Sequence, residues 1–245
     1  MLKNKNILIT GVGKGLGKEI LIKCIKNNSF VYGVCRSKSD YKFLRQYKNK
    51  SKIFFGDVTN YKFIDKMFNY FKKRKIILNG LVNNAGERQR IKFSKLSKKK
   101  LLHIFEVNFF SIFNLIQKFT DHQKQVKKKS IVNIGSIVAL RGFNHLSGYA
   151  STKSALDGLT RSLAIELSIN NIRVNTVNPG FMKTSFYKKF KNERKSLYNW
   201  TVSKIPLKRW GDSYEIGDLI CFLLSDQSTY ITGQSINIDG GWTAQ

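Results

Sequence analysis

The chain has 245 residues, 42% of them hydrophobic, and carries 44 lysines and arginines against 15 aspartates and glutamates, a formal net charge of +29. That size can bury a full core and is expected to form one globular unit spanning 1–245. Three scattered cysteines, Cys24, Cys35 and Cys221, exclude a disulfide framework and a cysteine metal site. No apolar run has the length to cross a bilayer. The opening "MLKNKNILIT" runs straight into a strand-like segment, which predicts no targeting peptide and a cytoplasmic protein.

The positive charge has two readings. A dedicated polyanion surface would make the chain a basic nucleic-acid-binding module. Compositional bias is the plainer one: lysine outnumbers arginine 34 to 10, and alanine occurs only six times and proline twice. The lysines are spread along the whole chain, which favours bias.

Strand-like and helix-like segments alternate from end to end. "NILIT" is a first strand, followed by a glycine-rich turn and a helix from Leu16 to about Lys26. "FVYGVC" (Phe30 to Cys35) and "KIFFGDV" are the next strands, and a helix covers Tyr61 to Lys72. "IILNGLVNNAG" is a fourth strand entering a turn, and a long helical region covers Lys98 to Val126. "SIVNIGS" precedes a helix from Gly148 to Ser168, and "IRVNTVNPG" is the sixth strand. Helical segments over Thr184 to Ser203 and Ser213 to Leu224 lead to a last strand, "QSINID". Short apolar strands separated by helices predict an α/β fold: a doubly wound, seven-stranded parallel sheet with helices on both faces.

"TGVGKGLG", Thr10 to Gly17, lies between the first strand and first helix. Gly11, Gly15 and Gly17 permit a tight turn and close approach of backbone to a pyrophosphate, with the helix N-terminus offering free N–H groups. The spacing is G-x-x-x-G-x-G. Further along come "GDV" with Asp57, "NNAG" from Asn83 to Gly86, "VN" with Asn108, "IGSI" with Ser136, then Tyr149 and Lys153 in "GYASTKSA", then "NPG" from Asn178 to Gly180. "YITGQSINIDGG" follows near the C-terminus.

These motifs, in this order, resemble the short-chain dehydrogenase/reductase family over nearly all of the chain. The resemblance implies a Rossmann fold and a nicotinamide cofactor. It assigns cofactor contacts to Gly11, Lys14, Gly15, Leu16 and Gly17 in the glycine loop and to Arg36, Asp57 and Val58 after the second and third strands, Asp57 by the adenine ring. It adds Asn84, Ala85 and Gly86, the pair Tyr149 and Lys153, and Pro179, Gly180 and Thr184.

Tyr149 and Lys153 stand at i and i+4 and share one helix face, with Ser136 at a strand end where such sheets bind ligands. A free tyrosine has a pKa near ~10 and transfers protons poorly at neutral pH; a nearby cation favours its phenolate. By resemblance, Tyr149 transfers the proton to or from the substrate oxygen, and Ser136 hydrogen-bonds that oxygen. Lys153 lowers the tyrosine pKa and holds the nicotinamide ribose, and Asn108 positions a water beside the lysine. A second pair of the same spacing, Tyr187 and Lys191, lies in the charged run "FYKKFKNERK" without the serine or strand end and is read as structural.

After the second strand, Cys35 stands where NAD-preferring members of the family often carry aspartate, and Arg36 follows. With Lys14 in the glycine loop, this predicts NADP(H) rather than NAD(H), since a cationic pair suits a 2′-phosphate. Asp40 is the weaker alternative, a ribose acceptor. The substrate loop should be "IVALRGFNHLSG", where Arg141 or His145 could meet a polar substrate, together with Phe181, Met182, Phe186, Tyr187, Tyr198 and Trp200. No metal-ligand constellation is present.

The overall look is similar to 3-oxoacyl-acyl carrier protein reductases, for which an acidic carrier protein would suit a basic surface. The alternative is a sugar or polyol dehydrogenase, since "IPLKRWG" and "IDGGWTAQ" resemble gluconate dehydrogenases. Asn170 stands where the reductases often have arginine. Family members usually form homotetramers, and the stripe "LLHIFEVNFFSIFNLI" could face either a partner or the sheet.

Overall fold

The computed structural model describes residues 1–37, 43, 46–122, 128–184 and 187–245. Asp40, Phe186 and the last four residues of the expected Lys98–Val126 helix lie outside the described residues.

Seven strands form one parallel sheet in the order β3-β2-β1-β4-β5-β6-β9. They are β1 (Asn6–Thr10), β2 (Phe30–Cys35), β3 (Ser51–Phe55), β4 (Gly80–Asn83), β5 (Lys129–Ile134), β6 (Ile172–Pro179) and β9 (Ser235–Ile238). The chain moves outward from β1 to β3, then crosses back to β4 on the other side of β1. That reversal opens a crevice at the carboxyl ends of β1 and β4, where ligands bind in such sheets.

Alternating side chains of each strand feed two separate cores. On one face, Ile7, Ile9, Val31 and Val132 pack with α1 (Gly15–Lys26) and α8 (Ser213–Leu224). On the other, Leu8, Tyr32 and Ile131 pack with α2 (Tyr61–Lys73), α4 (Ser111–Asp121) and α5 (Ser147–Glu166). All three cysteines are buried. Cys24 on α1 and Cys221 on α8 bring their sulfurs to 3.8 Å. The Cys221 thiol and burial push the Cys24 thiol well up from its ordinary value.

The long helix expected from Lys98 is broken. An α-helical start, α3 (Lys98–Phe105), runs into a π-helical turn at Glu106–Phe110 before α4 continues. The wider turn directs Asn108 inward, where it is fully buried. The apolar stripe divides: Ile104, Ile112, Leu115, Ile116 and Phe119 are buried, whereas Leu102, Phe110 and Phe113 are exposed.

The helical region expected over Thr184 to Ser203 is two helices, α6 (Tyr187–Glu193) and α7 (Lys195–Lys204), parted by non-helical backbone at Arg194. Before and after them, β7 (Met182–Lys183) and β8 (Gly211–Asp212) pair as a separate two-stranded parallel ribbon. Asp212 and Glu215 form a capping box that starts α8 directly after β8.

Candidate active site

The glycine loop, the Asn84–Gly86 turn, Ser136, Tyr149, Lys153 and the Pro179–Gly180 turn all reach the carboxyl edge of the sheet. Gly11 has φ +73° and Gly15 φ +58°, a region open to glycine without strain. Gly17 faces the Gly11 carbonyl and the Asn84 amide so closely that a Cβ there would overlap both. Asn84 Nδ2 donates to the carbonyls of Thr10 and Gly11 at 3.0 and 3.2 Å. Thr10 Oγ1 accepts from the N–H groups of Asn84 and Ala85. The glycine loop is thus buttoned to the end of β4, leaving the first turn of α1 open.

Lys14, at the N-cap of α1, is exposed and makes no side-chain cap. A cation there opposes the helix dipole, so an anion at the turn would relieve it. Arg36 extends past β2, 74% exposed, with Nη1 3.9 Å from Asp57 Oδ2. Asp57 Oδ1 accepts from the backbone N–H and hydroxyl of Thr59 at 2.9 Å, which fixes the carboxylate after β3. Val58 is buried beside it.

A cavity of about 880 Å³ opens beside this edge. Leu16, Asn84, Gly86, Pro179, Gly180 and Thr184 line it together with Ser136, Tyr149 and Lys153. Ser136 follows β5, and its N–H donates to Asn178 Oδ1 at 3.0 Å. Asn178 in turn donates to Ser235 Oγ at 2.7 Å, and Ser235 donates to Asp157 Oδ1 at 2.9 Å. Lys153 is only 4% exposed; its Nζ donates to the Ile134 carbonyl at 2.7 Å and lies 5.8 Å from the Tyr149 ring centre. Burial lowers its pKa to about 8, opposed by the Asp157 carboxylate. Burial raises the Tyr149 phenol above its usual value, while hydrogen bonding with Ser136 and the charge of Arg88 pull it back.

The Asn108 side chain is held by the loop after β4 and by α5. Its Oδ1 accepts from the Glu87 N–H at 2.8 Å, and its Nδ2 donates to the Glu87 carbonyl at 2.9 Å and to Thr152 Oγ1 at 3.3 Å. In this arrangement Asn108 clamps the loop after β4. A Cβ on Gly86 would lie 3.2 Å from Asn108 Oδ1 and 3.8 Å from Lys153 Nζ. The loop, the amide and the ammonium therefore share one corner.

The opposite wall is aromatic. Phe143, Phe181, Tyr187, Phe190, Trp200 and Trp210 line the cavity. Phe181 and Trp210 have ring centres 5.4 Å apart, and Trp210 Nε1 donates to Thr201 Oγ1 at 2.8 Å in the interior. Tyr187 lines the cavity, but its hydroxyl meets that of Tyr198 at 3.1 Å. Two polar candidates point elsewhere. The Arg141 guanidinium bonds the Thr243 and Gln245 carbonyls, and His145 is an exposed loop residue with φ +66°. Arg88, Arg90, Phe190, Leu197 and Trp210 line the cavity without having been singled out; the polar run "ERQR" directly after "NNAG" was the available signal for the first two.

A family model described as enoyl-(acyl carrier protein) reductase matches residues 11–243. The chain belongs to the short-chain dehydrogenase/reductase family. It is an oxidoreductase of the class acting on carbonyl and secondary alcohol groups. A 3-oxoacyl-[acyl-carrier-protein] reductase of Buchnera aphidicola is 33% identical over 243 residues, covering 98% of each chain. A 2-dehydro-3-deoxy-D-gluconate 5-dehydrogenase of Bacillus subtilis is 30% identical over 248 residues, covering 100% of this chain and 96% of that protein. The solved structure of ElxO with NADP bound is similar at TM-score 0.92 and 29% identity, covering 99% of this chain and 100% of that one. Among the described residues no group of histidine, cysteine, aspartate or glutamate could hold a metal ion, and no helix is long and apolar enough to cross a membrane.

Proposed function

We propose that this short-chain oxidoreductase uses NADP(H) to interconvert a carbonyl and a secondary alcohol in the aromatic-walled cavity. The observation that carries the reading is the convergence of Ser136, Tyr149 and Lys153 on a cavity whose floor is the glycine-edged end of the sheet. The residues present fit a dinucleotide: Gly11 and Gly17 have no room for a Cβ, Gly15 has φ +58°, and Lys14 and Arg36 offer cations for a 2′-phosphate. ElxO, at 29% identity, binds NADP, which supports the same preference here.

When bound, the reduced nicotinamide supplies a hydride to the carbonyl carbon. The Tyr149 hydroxyl donates its proton to the carbonyl oxygen, and the Ser136 hydroxyl donates a hydrogen bond to that same oxygen. The Asn178–Ser235–Asp157 network keeps Ser136 in place. Lys153 holds the cofactor ribose and supplies positive charge at the base of Tyr149. Asn108 acts through the loop it clamps, keeping Gly86 close to the lysine.

3-Oxoacyl thioesters are the first substrate class to test, from the Buchnera relative and because a basic surface suits an acidic acyl carrier protein. Keto sugar acids are the second class, named by the Bacillus relative. The exposed Leu102, Phe110 and Phe113 support a homotetramer that covers them. A single domain acting in the cytoplasm completes the reading.

The test follows NADPH oxidation by purified protein with acetoacetyl thioesters and with keto sugar acids, NADH serving as cofactor control. Thioester turnover with NADPH supports the first class. Turnover confined to sugar acids moves the protein to the second and keeps the mechanism. Absence of NADPH binding overturns the oxidoreductase reading.

A further inference from the structure

The loop clamped by Asn108 carries two arginines into the cavity wall, Arg88 and Arg90. The Arg90 charge reaches Arg88 and opposes its protonation, while the charge of an ionised Tyr149 would favour it. Removal of water by the surrounding wall is the larger influence, and it too lowers the Arg88 pKa, although the side chain keeps access to the cavity. Neighbouring guanidinium groups are ordinarily reconciled by a carboxylate between them. Here the two carboxylates on the cavity wall are engaged elsewhere. Glu87 Oε2 lies 3.1 Å from His103 Nε2, and Glu193 Oε1 lies 3.7 Å from Lys189 Nζ. Among the described residues, Arg88 and Arg90 have no ion-pair partner.

We infer that Arg88 and Arg90 form an oxyanion-binding subsite and that the substrate carries a carboxylate or phosphate a few atoms from its reacting carbonyl. The carbonyl oxygen meets Ser136 and Tyr149 while the anionic group meets the arginine pair, and the aromatic wall covers the carbon skeleton between them. This inference rests on the oxidoreductase reading and deepens it: it ranks keto acids and keto phosphates above neutral acyl thioesters. The two functions of Arg88 reinforce each other. An anion that neutralises it also removes a positive charge from beside Tyr149, so the phenol of a loaded site keeps its proton for donation.

Binding by the NADP⁺-saturated protein tests this without requiring turnover, because Trp200 and Trp210 line the cavity and their fluorescence reports occupancy. Two ketone pairs differ mainly in charge: levulinate against methyl levulinate, and dihydroxyacetone phosphate against dihydroxyacetone. The charged member of at least one pair should bind about tenfold or more tightly, and the pair with the larger ratio separates carboxylate from phosphate. Arg88→Gln and Arg90→Gln should each collapse that ratio towards one while leaving the neutral ligand's affinity within about twofold. Each variant is first checked for an unchanged melting temperature and NADP⁺ affinity; two separate variants keep the test decisive if one is damaged. Equal binding of charged and neutral members by the wild type, no binding of either, or a ratio that survives both substitutions overturns the subsite while NADP⁺ binding leaves the oxidoreductase reading standing. Loss of NADP⁺ binding in the wild type itself overturns both.

Discussion

The cavity has a floor and a wall built on different principles. The floor is set by hydrogen bonds from buried strands: Ser136 through Asn178, Lys153 through the Ile134 carbonyl, and the glycine loop through Asn84. The wall is set by ring packing on short helices and a two-residue ribbon, with Trp210 in contact with Phe181, Tyr187, Phe190 and Tyr198. Both regions contribute a tyrosine that precedes a lysine by four residues. On the floor, Lys153 is buried beneath Tyr149, and Ser136 completes the site. On the wall, Lys191 lies 5.4 Å over the Tyr198 ring and Tyr187 bonds another phenol. Identical spacing thus gives a tyrosine over a buried lysine beside a serine, or a packing contact, depending on what the strands beneath supply.

The largest contrast should come from removing one hydroxyl at each place. Tyr149→Phe is expected to lower turnover by about 10²–10⁴-fold with NADPH binding retained, and Tyr187→Phe to change it by no more than a few-fold. Comparable losses in the two variants would erase the distinction; steady-state NADPH oxidation beside a cofactor titration decides it.

Next in size is the buried charge of Lys153. Its ammonium gives up its proton near pH 8 in the folded protein and near 10.5 when unfolded. Between those values the unfolded state binds more protons, so the contribution of Lys153 to stability rises with pH. It is greatest above 10.5 and is lost as the pH falls through about 8, by ~3 kcal/mol at most. Urea unfolding of the cofactor-free protein from pH 7 to 10 should show wild type gaining on Lys153→Met; parallel curves would mean that burial does not depress the lysine pKa and that it stays charged in both states.

A smaller effect is expected at the far edge of the floor. Arg36→Ala should narrow the NADPH-over-NADH preference by about tenfold in kcat/KM, the value of roughly one charge-assisted contact. An unchanged ratio would remove Arg36 from the phosphate site. Least of all, Trp210→Phe forfeits one interior hydrogen bond and should cost about 1 kcal/mol in chemical denaturation. It should alter substrate KM more than kcat and leave NADPH affinity alone. A reversed pattern would show that wall and floor are not separable.

The same division governs what could be read from the sequence. Tyr149 and Lys153 are one helical turn apart and Ser136 ends a strand, so helical spacing and strand order were enough to bring those three together, whereas Asn84 and Gly180 were named through the family resemblance. The seven strands followed from short apolar runs between helices. Arg88 and Arg90 were missed because their direction depends on a loop clamped by Asn108 from another element. Nothing in "EVNFF" announces the π-helical turn that directs Asn108 there. The β7–β8 ribbon is two residues long on each side, too short for an alternation to register. Arg141 looked like a substrate contact by charge alone, but the backbone near Thr243 and Gln245 satisfies it instead.

The interior placement of the three thiols provides a built-in clock for the breathing of the fold. With Cys24 and Cys221 fully enclosed and Cys24 biased away from its reactive thiolate, a thiol reagent can reach them only when the α1–α8 layer opens. Cys35 sits instead at the end of β2, next to Arg36, with its sulfur bonded to the Ser37 carbonyl. Labelling followed by peptide mass spectrometry would therefore time two events in one sample. NADP⁺ should protect Cys35 first and most, while the Cys24–Cys221 pair keeps time with unfolding of the domain.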